Sequence, residues 1–195
     1  MSLEIRISGF GGQGIVLAGF VLGKAAALYE RRNAVLTQSY GPEARGGASA
    51  ADVIIATSSD EMIDYPKVKA PHILVTMSQE AYHTYRKTLH KDGILIYDSD
   101  LVNPANGNEE EVKAAGFPAT RLAEDRVGKR IVANIVMLGA LSAISGIVSY
   151  DALKKSVETS VKKQFVDLNL KALELGYQQA ERMGTKYEVG ARTPA

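Results

Sequence analysis

The 195-residue chain contains no cysteine. Disulfide bonds are therefore excluded, and so are zinc sites held by thiolates and the usual iron–sulfur clusters held by four cysteines. The three histidines, His72, His83 and His90, also lack the close spacing of metal ligands. They are predicted to be surface or strand-end residues, and no metal site is predicted in this chain.

The sequence has no excess of either charge. Its 23 lysines and arginines nearly balance its 22 aspartates and glutamates, which leaves a formal net charge of +1. A general attraction to nucleic acid or to an anionic membrane is therefore not predicted, although local basic residues could still bind a phosphate.

No signal peptide is predicted either. The first residues lack the basic start, the apolar run and the small-residue cleavage site of such a peptide, so the cytoplasm is the expected location. Residues 131–148 carry no charge and approach the length of a membrane span, but Asn134, Ser142 and Ser145 interrupt their apolarity. We interpret this stretch as a buried helix, with a transmembrane helix as the alternative.

Strands and helices alternate in the first half of the sequence. Helical patterns at residues 15–29 and 79–89 separate runs that are typical of strands, at residues 3–8, 34–38, 51–56, 73–77 and 94–97. This alternation predicts an α/β fold with a Rossmann-like, mostly parallel sheet flanked by helices.

The second half of the chain is predicted to be largely helical. After a short edge strand at 118–122 come a long helix at 125–147, a helix capped by Ser149 and a last helix at 165–182. No linker separates two units, so residues 1–195 are predicted to form a single domain with a loose tail at 184–195.

A glycine-rich loop follows the first predicted strand. Residues 9–14, Gly-Phe-Gly-Gly-Gln-Gly, match the pattern G-x-G-x-x-G between a strand and a helix. Glycines allow the backbone to approach a bound group, and the amino end of a helix favours an anion, so a phosphate is the expected ligand. The alternative is that these glycines only let the helix and the sheet pack closely.

An ordinary NAD site is disfavoured at this loop. Such a site needs a carboxylate at the end of the second strand to bind the ribose hydroxyls. Here that strand ends Leu36-Thr37-Gln38-Ser39, without a carboxylate.

A second glycine-bearing loop follows the second strand. Residues 39–49 contain Arg45, whose planar guanidinium suits a phosphate, beside Gly46 and Gly47, which permit close backbone approach. Loops at the carboxyl ends of parallel strands line the ligand crevice, so this loop is predicted to face the first one.

These segments resemble the gamma subunits of 2-oxoacid:ferredoxin oxidoreductases. The likeness covers residues 9–14, the segment Ser-Tyr-Gly-Pro-Glu-Ala-Arg-Gly-Gly at 39–47, and the stretches 134–141 and 169–177, in order along the chain. It implies a subunit that contacts coenzyme A, while thiamine diphosphate, magnesium and the iron–sulfur clusters belong to partner subunits. The absence of cysteine agrees with this division.

The resemblance also implies partners and contact residues. The partners would be the alpha, beta and delta subunits of the same enzyme, with ferredoxin or flavodoxin as the electron acceptor. No catalytic residue is expected in this chain. By motif position, the residues expected to contact coenzyme A are Gly11, Gly12, Gln13, Gly14, Arg45, Gly46 and Gly47.

Several alternatives remain open at this point. The Gly-Pro-Glu-Ala-Arg-Gly-Gly form looks most like 2-oxoglutarate enzymes, which give succinyl-CoA, but branched-chain and pyruvate enzymes are similar. The chain could instead be a stand-alone NAD(P)-binding oxidoreductase or a non-catalytic assembly subunit.

Arg126, Lys129 and Arg130 form a basic cluster, for which a solvated or subunit-contact role is favoured over phosphate binding. An exposed apolar surface is expected, with the long charge-free helix as one contributor.

Overall fold

The computed structural model describes residues 2–40, 48–104 and 112–189. Within them, one six-stranded sheet has the order β2-β3-β1-β4-β5-β6. The strands are β1 (Ser2–Phe10), β2 (Ala34–Tyr40), β3 (Ala48–Ala56), β4 (Ile73–Thr76), β5 (Ile94–Asp98) and β6 (Lys113–Phe117).

Five of these six strands run in the same direction. β1, β4, β5 and β6 pair in parallel, whereas β3 is antiparallel to both of its neighbours, β1 and β2. The described sheet is therefore mixed but mostly parallel, as the sequence predicts. β3 is reversed because the short connection between β2 and β3, residues 41–47, is shorter than a parallel crossover requires.

Helices cover both faces of the sheet. The helices are α1 (Ile15–Lys24), α2 (Gln79–Tyr85), α3 (Ala119–Leu122), α4 (Ala133–Ser145), α5 (Tyr150–Ser160) and α6 (Val166–Met183). α1 continues in a wider helical turn to Tyr29, which matches its predicted end. The hydroxyl of Ser149 accepts a hydrogen bond from the backbone nitrogen of Ala152, so the predicted cap of α5 is confirmed.

The region before α4 differs from the prediction in two ways. The predicted edge strand at 118–122 is wrong. The strand is formed by the preceding residues, Lys113–Phe117, and Ala119–Leu122 form α3. The predicted continuous helix at 125–147 is also wrong. Gly128 has a φ of 81°, in the left-handed region, and Lys129 is extended, so the chain turns before α4 begins.

The main core lies between one face of the sheet and α1, α4, α5 and α6. A smaller cluster beneath α2 covers the other face, with Leu74, Tyr82, Leu95 and Val102. α4 is buried along almost its whole length, from Ala133 to Ile144. The expectation that this charge-free helix contributes an exposed apolar surface is therefore wrong.

α4 and α6 pack against each other at two glycines. A Cβ atom on Gly139 would collide with the backbone of α6, and one on Gly176 would collide with the backbone carbonyl group of Val136. Burial against α6 thus explains how a charge-free stretch is accommodated inside the fold. Among the residues that the structure describes, no helix combines the length and apolarity needed to cross a membrane.

Candidate functional site

The described ends of three strands meet at one end of the sheet. Phe10, the last residue of β1, pairs with Ala48, the first residue of β3, while Tyr40 at the end of β2 pairs with Ser49. The chain therefore enters and leaves the segment 41–47 at the end of the sheet that carries the glycine loop.

Three of the predicted contact residues, Arg45, Gly46 and Gly47, belong to segment 41–47 and lie outside the described residues. That the two loops face each other stays a prediction. The flanking strands satisfy its first requirement, because they bring both ends of the segment to the correct end of the sheet.

The central glycines of the first loop have open space beside them. A Cβ atom added to Gly11 or Gly12 would meet no atom of the described residues within 4 Å. Gly12 also has a φ of 100°, where an L side chain is strained, whereas Gly11 has no positive φ. Packing among the described residues therefore does not explain Gly11, and this side of its backbone is open to a ligand within the described part of the chain.

The outer glycines of the same loop are explained by packing. A Cβ atom on Gly9 would lie 2.7 Å from Cδ1 of Ile15, and one on Gly14 would lie 2.5 Å from Nδ2 of Asn134. The two explanations that the sequence left open thus apply to different residues: close packing for Gly9 and Gly14, and open space for Gly11 and Gly12.

Gln13 braces the loop against the sheet. Its Oε1 accepts a hydrogen bond from the backbone nitrogen of Phe10 at 2.9 Å, and its Nε2 donates to the carbonyl oxygen of Met77 at 2.7 Å. The side-chain amide is therefore committed at both ends to the protein's own backbone. Gln13 joins the ends of the neighbouring strands β1 and β4 and keeps the glycine turn in place.

A cavity of about 270 Å³ lies beside the glycine loop. The end of β1 and the loop form one wall, and α3 with the start of α4 and the turn before it form the other. The lining residues are Phe10, Gly12, Gln13, Met77, Thr120, Arg130, Ile131 and Ala133. The structure thus brings Gly12 and Gln13, of the predicted contact residues, to this cavity.

Most of the far wall was missed by reasoning from the sequence. Met77 directly follows β4, so the rule that carboxyl ends of parallel strands line the crevice could have identified it. Ile131 and Ala133 lie just before and at the start of α4, and Thr120 lies in α3 just after β6; no local sequence signal indicates that these elements meet at the cavity. The sequence favours a solvated or subunit-contact role for Arg130; its side chain is 57% exposed, and it also lines the cavity.

A buried carboxylate holds the Thr120 wall in place. Oδ2 of Asp98 accepts hydrogen bonds from the hydroxyl of Thr120 at 2.6 Å and from its backbone nitrogen at 3.1 Å. Oδ1 accepts from the backbone nitrogen of Asp100 at 3.1 Å. Burial raises the pKa of Asp98, and the hydrogen bonds from Thr120 and Asp100 act in the opposite direction. Asp98 therefore fixes the second wall without lining the cavity itself.

The site does not have the strand arrangement of a dinucleotide-binding fold. In that fold the second strand lies directly beside the first, and its end carries the ribose-binding carboxylate. Here β3 lies between β1 and β2, so the end of β2 is about 10 Å from the end of β1. Both the residue type and the position needed for the ribose are therefore absent at β2 in the described chain.

The sequence of this chain matches a known protein family. Residues 4–179 match the family described as pyruvate ferredoxin/flavodoxin oxidoreductase. The 2-oxoglutarate synthase subunit KorC of Methanocaldococcus jannaschii is 50% identical over 183 residues, which cover 94% of this chain and 96% of that protein.

Two solved structures share the fold. The gamma subunit of a keto/oxoacid ferredoxin oxidoreductase from Geobacter sulfurreducens is 42% identical, with a TM-score of 0.80, and the match covers 92% of this chain and 99% of that one. A 2-oxoglutarate:ferredoxin oxidoreductase from Magnetococcus marinus, solved with 2-oxoglutarate, coenzyme A and succinyl-CoA bound, also has a TM-score of 0.80. It is 22% identical over 96% of this chain and 32% of that longer one, which shows the fold alone.

Proposed function

The chain belongs to the pyruvate ferredoxin/flavodoxin oxidoreductase family, and we propose that it is the gamma subunit of an enzyme that converts 2-oxoglutarate and coenzyme A into succinyl-CoA. The substrate is proposed from a 50% identical relative, named as a subunit of 2-oxoglutarate synthase, which matches this chain over nearly the full length of both. Carbon dioxide is released, and two electrons leave singly to ferredoxin or flavodoxin.

The chain shares this work with its partners. We propose that alpha, beta and delta subunits carry thiamine diphosphate, magnesium and the iron–sulfur clusters, and that they perform the decarboxylation and the electron transfer. This chain has no cysteine with which to hold a cluster. Its proposed part is to bind coenzyme A and orient it, which gives the reaction the advantage of a positioned reactant.

The observation that carries this proposal is the open backbone of Gly11 and Gly12, of which Gly12 lines the cavity. Coenzyme A contains a pyrophosphate and a further phosphate, and both are bound well by backbone N–H groups and cationic side chains. No acidic residue lies in the first turn of α1 to repel them. The cavity of about 270 Å³ suits one part of coenzyme A, so the remainder would extend towards segment 41–47 and the partner subunits.

A substitution at Gly11 tests this role directly. Gly11→Ala adds a methyl group that no atom of the described residues approaches within 4 Å, so the packing of the described fold should be unaffected. In the reconstituted complex we expect the KM for coenzyme A to rise about tenfold with little change in kcat, because loss of uniform binding raises KM alone. An unchanged KM would reject the contact and would favour a subunit that serves assembly only.

Gly23→Ala is the matched control. Gly23 lies within α1, away from the cavity, and its added Cβ would be 3.6 Å from Cγ1 of Val53, an ordinary packing distance. The same chemical change should therefore leave the KM for coenzyme A unaltered. Arg45→Ala extends the test to the second loop, where we expect a higher KM through loss of a charge-assisted phosphate contact.

A further inference from the structure

The described lining of the cavity beside the glycine loop is apolar apart from a few polar groups, and its formal charge is positive. Phe10, Met77, Ile131 and Ala133 give it apolar surfaces, and Gly12 contributes backbone. Arg130 carries the single formal charge among its described lining residues. A ligand group that reaches both Gly12 and Arg130 is therefore favoured if it is anionic, since no carboxylate in that set offsets the guanidinium.

The turn before α4 holds the backbone of Arg130 at the rim of this cavity. Gly128 adopts a φ of 81°, and its nitrogen donates to the carbonyl oxygen of Glu124 at 3.1 Å. The nitrogen of Lys129 donates to the carbonyl oxygen of Ala123 at 3.1 Å, and the next turn closes with Val132 donating to Lys129 at 3.2 Å. These bonds break the helical path and present residue 130 opposite the glycine loop.

The side chain of Arg130 is only weakly engaged in the described structure. Its Nη1 lies 3.4 Å from Oε1 of Glu124, and the two side chains are 57% and 46% exposed. Exposed ion pairs of this kind contribute little to stability. Arg130 can therefore leave Glu124 at little cost, and its planar fork can form two parallel hydrogen bonds to a phosphate.

We propose that Arg130 is a binding residue of the coenzyme A site, which releases Glu124 and donates hydrogen bonds to a phosphate group of the ligand. This inference rests on the proposed function and adds a residue that the glycine motif does not contain. It also reassigns one member of the basic cluster 126–130 from solvent to ligand, while Arg126 and Lys129 keep a surface role.

Arg130→Gln tests the proposal in the reconstituted complex. We expect the KM for coenzyme A to rise about tenfold while kcat stays near that of the unaltered enzyme. Arg130→Lys keeps the charge without the fork and should restore only part of the affinity. Arg126→Gln is the matched control, because it removes the same charge from an exposed residue four positions away that does not line the cavity. Its KM should be unchanged, whereas equal effects of the two Gln variants would overturn the proposal.

Glu124→Gln provides a test in the opposite direction. Removal of the competing carboxylate frees the guanidinium, so the KM for coenzyme A should fall about twofold. In the Arg130→Gln background the same change should have no effect. A fall in KM that persists without Arg130 would show a general charge effect and would contradict the proposed exchange of partners.

The phosphate that Arg130 binds can be identified with 3′-dephospho-coenzyme A. An Arg130→Gln effect confined to coenzyme A would assign the 3′-phosphate, and an equal effect on both compounds would assign the pyrophosphate. If Arg130→Gln weakens subunit association but leaves KM unchanged in the assembled enzyme, Arg130 is a partner contact and the proposal is wrong. If Gly11→Ala raises the KM and Arg130→Gln does not, only this inference fails; if neither raises it, the proposed contact of this chain with coenzyme A fails as well.

Discussion

Asn134 donates a hydrogen bond from Nδ2 to the carbonyl oxygen of Gly14 at 3.0 Å and thereby joins the start of α4 to the start of α1. The same carbonyl oxygen accepts a hydrogen bond from the nitrogen of Ala18, the first backbone bond of α1. Asn134 is buried, and it fills the space that a side chain at position 14 would occupy. The end of the glycine loop and the far wall of the cavity are therefore one packed unit.

Gly14→Ala should destabilise the chain more than a Gly→Ala substitution at another glycine in the left-handed region. Gly14 has a φ of 72°, and its Cβ would approach Nδ2 of Asn134 to 2.5 Å, so a backbone cost of about 1 kcal/mol is joined by displacement of Asn134. We expect the free energy of unfolding to fall by about 3 kcal/mol in urea denaturation. Gly146→Ala is the control, since Gly146 has a φ of 62° and its added Cβ would meet no described atom within 4 Å. Equal losses at the two sites would show that the contact with Asn134 is unimportant.

Gln13→Met should loosen the glycine loop without changing its charge. The variant removes the bonds to the backbone of Phe10 and Met77, at about 1 kcal/mol for each. Because the loop is then less well placed for ligand, the KM for coenzyme A should rise in the assembled enzyme while kcat is little changed. Gln164→Met, on an exposed turn, controls for the residue change. A stability loss with an unaltered KM would mean that Gln13 supports the fold alone.

The sequence predicts most of the strand directions in the sheet, and it also predicts the family. Alternating and apolar runs correctly predict that β1 to β5 are strands, because strands buried by helices on both faces have largely apolar sequences. The sequence did not suggest that β3 is reversed, although the brevity of segment 41–47 contains that information. A connection of that length can form a hairpin but cannot cross the sheet.

Only one wall of the candidate site could be predicted from the sequence, because the other wall depends on tertiary packing. A glycine loop is local in sequence, so G-x-G-x-x-G could be recognised directly. The opposite wall depends on the turn at Gly128 and on how α4 packs over the strand ends. A break at Gly128 interrupts an otherwise helical pattern, and helical propensity alone places Arg126 and Arg130 on one exposed face. Tertiary packing separates them, with Arg130 at the cavity and Arg126 in solvent.

The strongest ion pair of the described chain lies under α2, away from the cavity. Arg6 of β1 donates from Nε and Nη2 to the two carboxylate oxygens of Asp52 at 2.7 Å each. The Arg6 guanidinium also lies 4.9 Å from the ring centre of Tyr85. Burial acts to lower the pKa of Arg6, but the hydrogen bonds and charge of Asp52 outweigh it and raise that pKa. Strand alternation predicts the side on which Arg6 lies, but not its partner 46 positions away.

Asp52→Asn should therefore be costly. The two side chains are each 11% exposed, so the variant leaves a buried guanidinium without its counter-charge. We expect a loss of about 3 kcal/mol in the free energy of unfolding, measured in urea. The double variant Arg6→Met with Asp52→Leu should recover much of that loss, because it removes both charges. Glu181→Gln, which breaks the exposed pair with Lys186, is the control and should change stability by less than about 0.5 kcal/mol.

A stacked pair of histidines lies at the end of the sheet opposite the cavity, before β4 and β5. The ring centres of His72 and His90 are 5.1 Å apart. Nδ1 of His72 accepts a hydrogen bond from the backbone nitrogen of Glu4 at 3.1 Å, and Nδ1 of His90 accepts from that of Asp92 at 3.2 Å. Nδ1 of each ring therefore acts as a hydrogen-bond acceptor in this arrangement. Burial and then the nearby His90 lower the pKa of His72, against the opposing charge of Glu4.

This lowered pKa predicts a loss of stability in mild acid. The unfolded chain, in which the pKa of His72 is about 6.5, binds the proton more readily than the folded chain. The contribution is complete above about pH 6.5 and is lost as the pH falls from there towards the pKa of the folded state. The variant His90→Asn removes the second ring, and its amide oxygen can still accept from Asp92. It should therefore raise the pKa of His72 in NMR titrations and reduce the stability lost between about pH 7.5 and 5.5. His83→Asn, on the exposed side of α2, should leave both quantities as they are; a His72 pKa that does not respond to His90 would show that the stacked pair is not coupled.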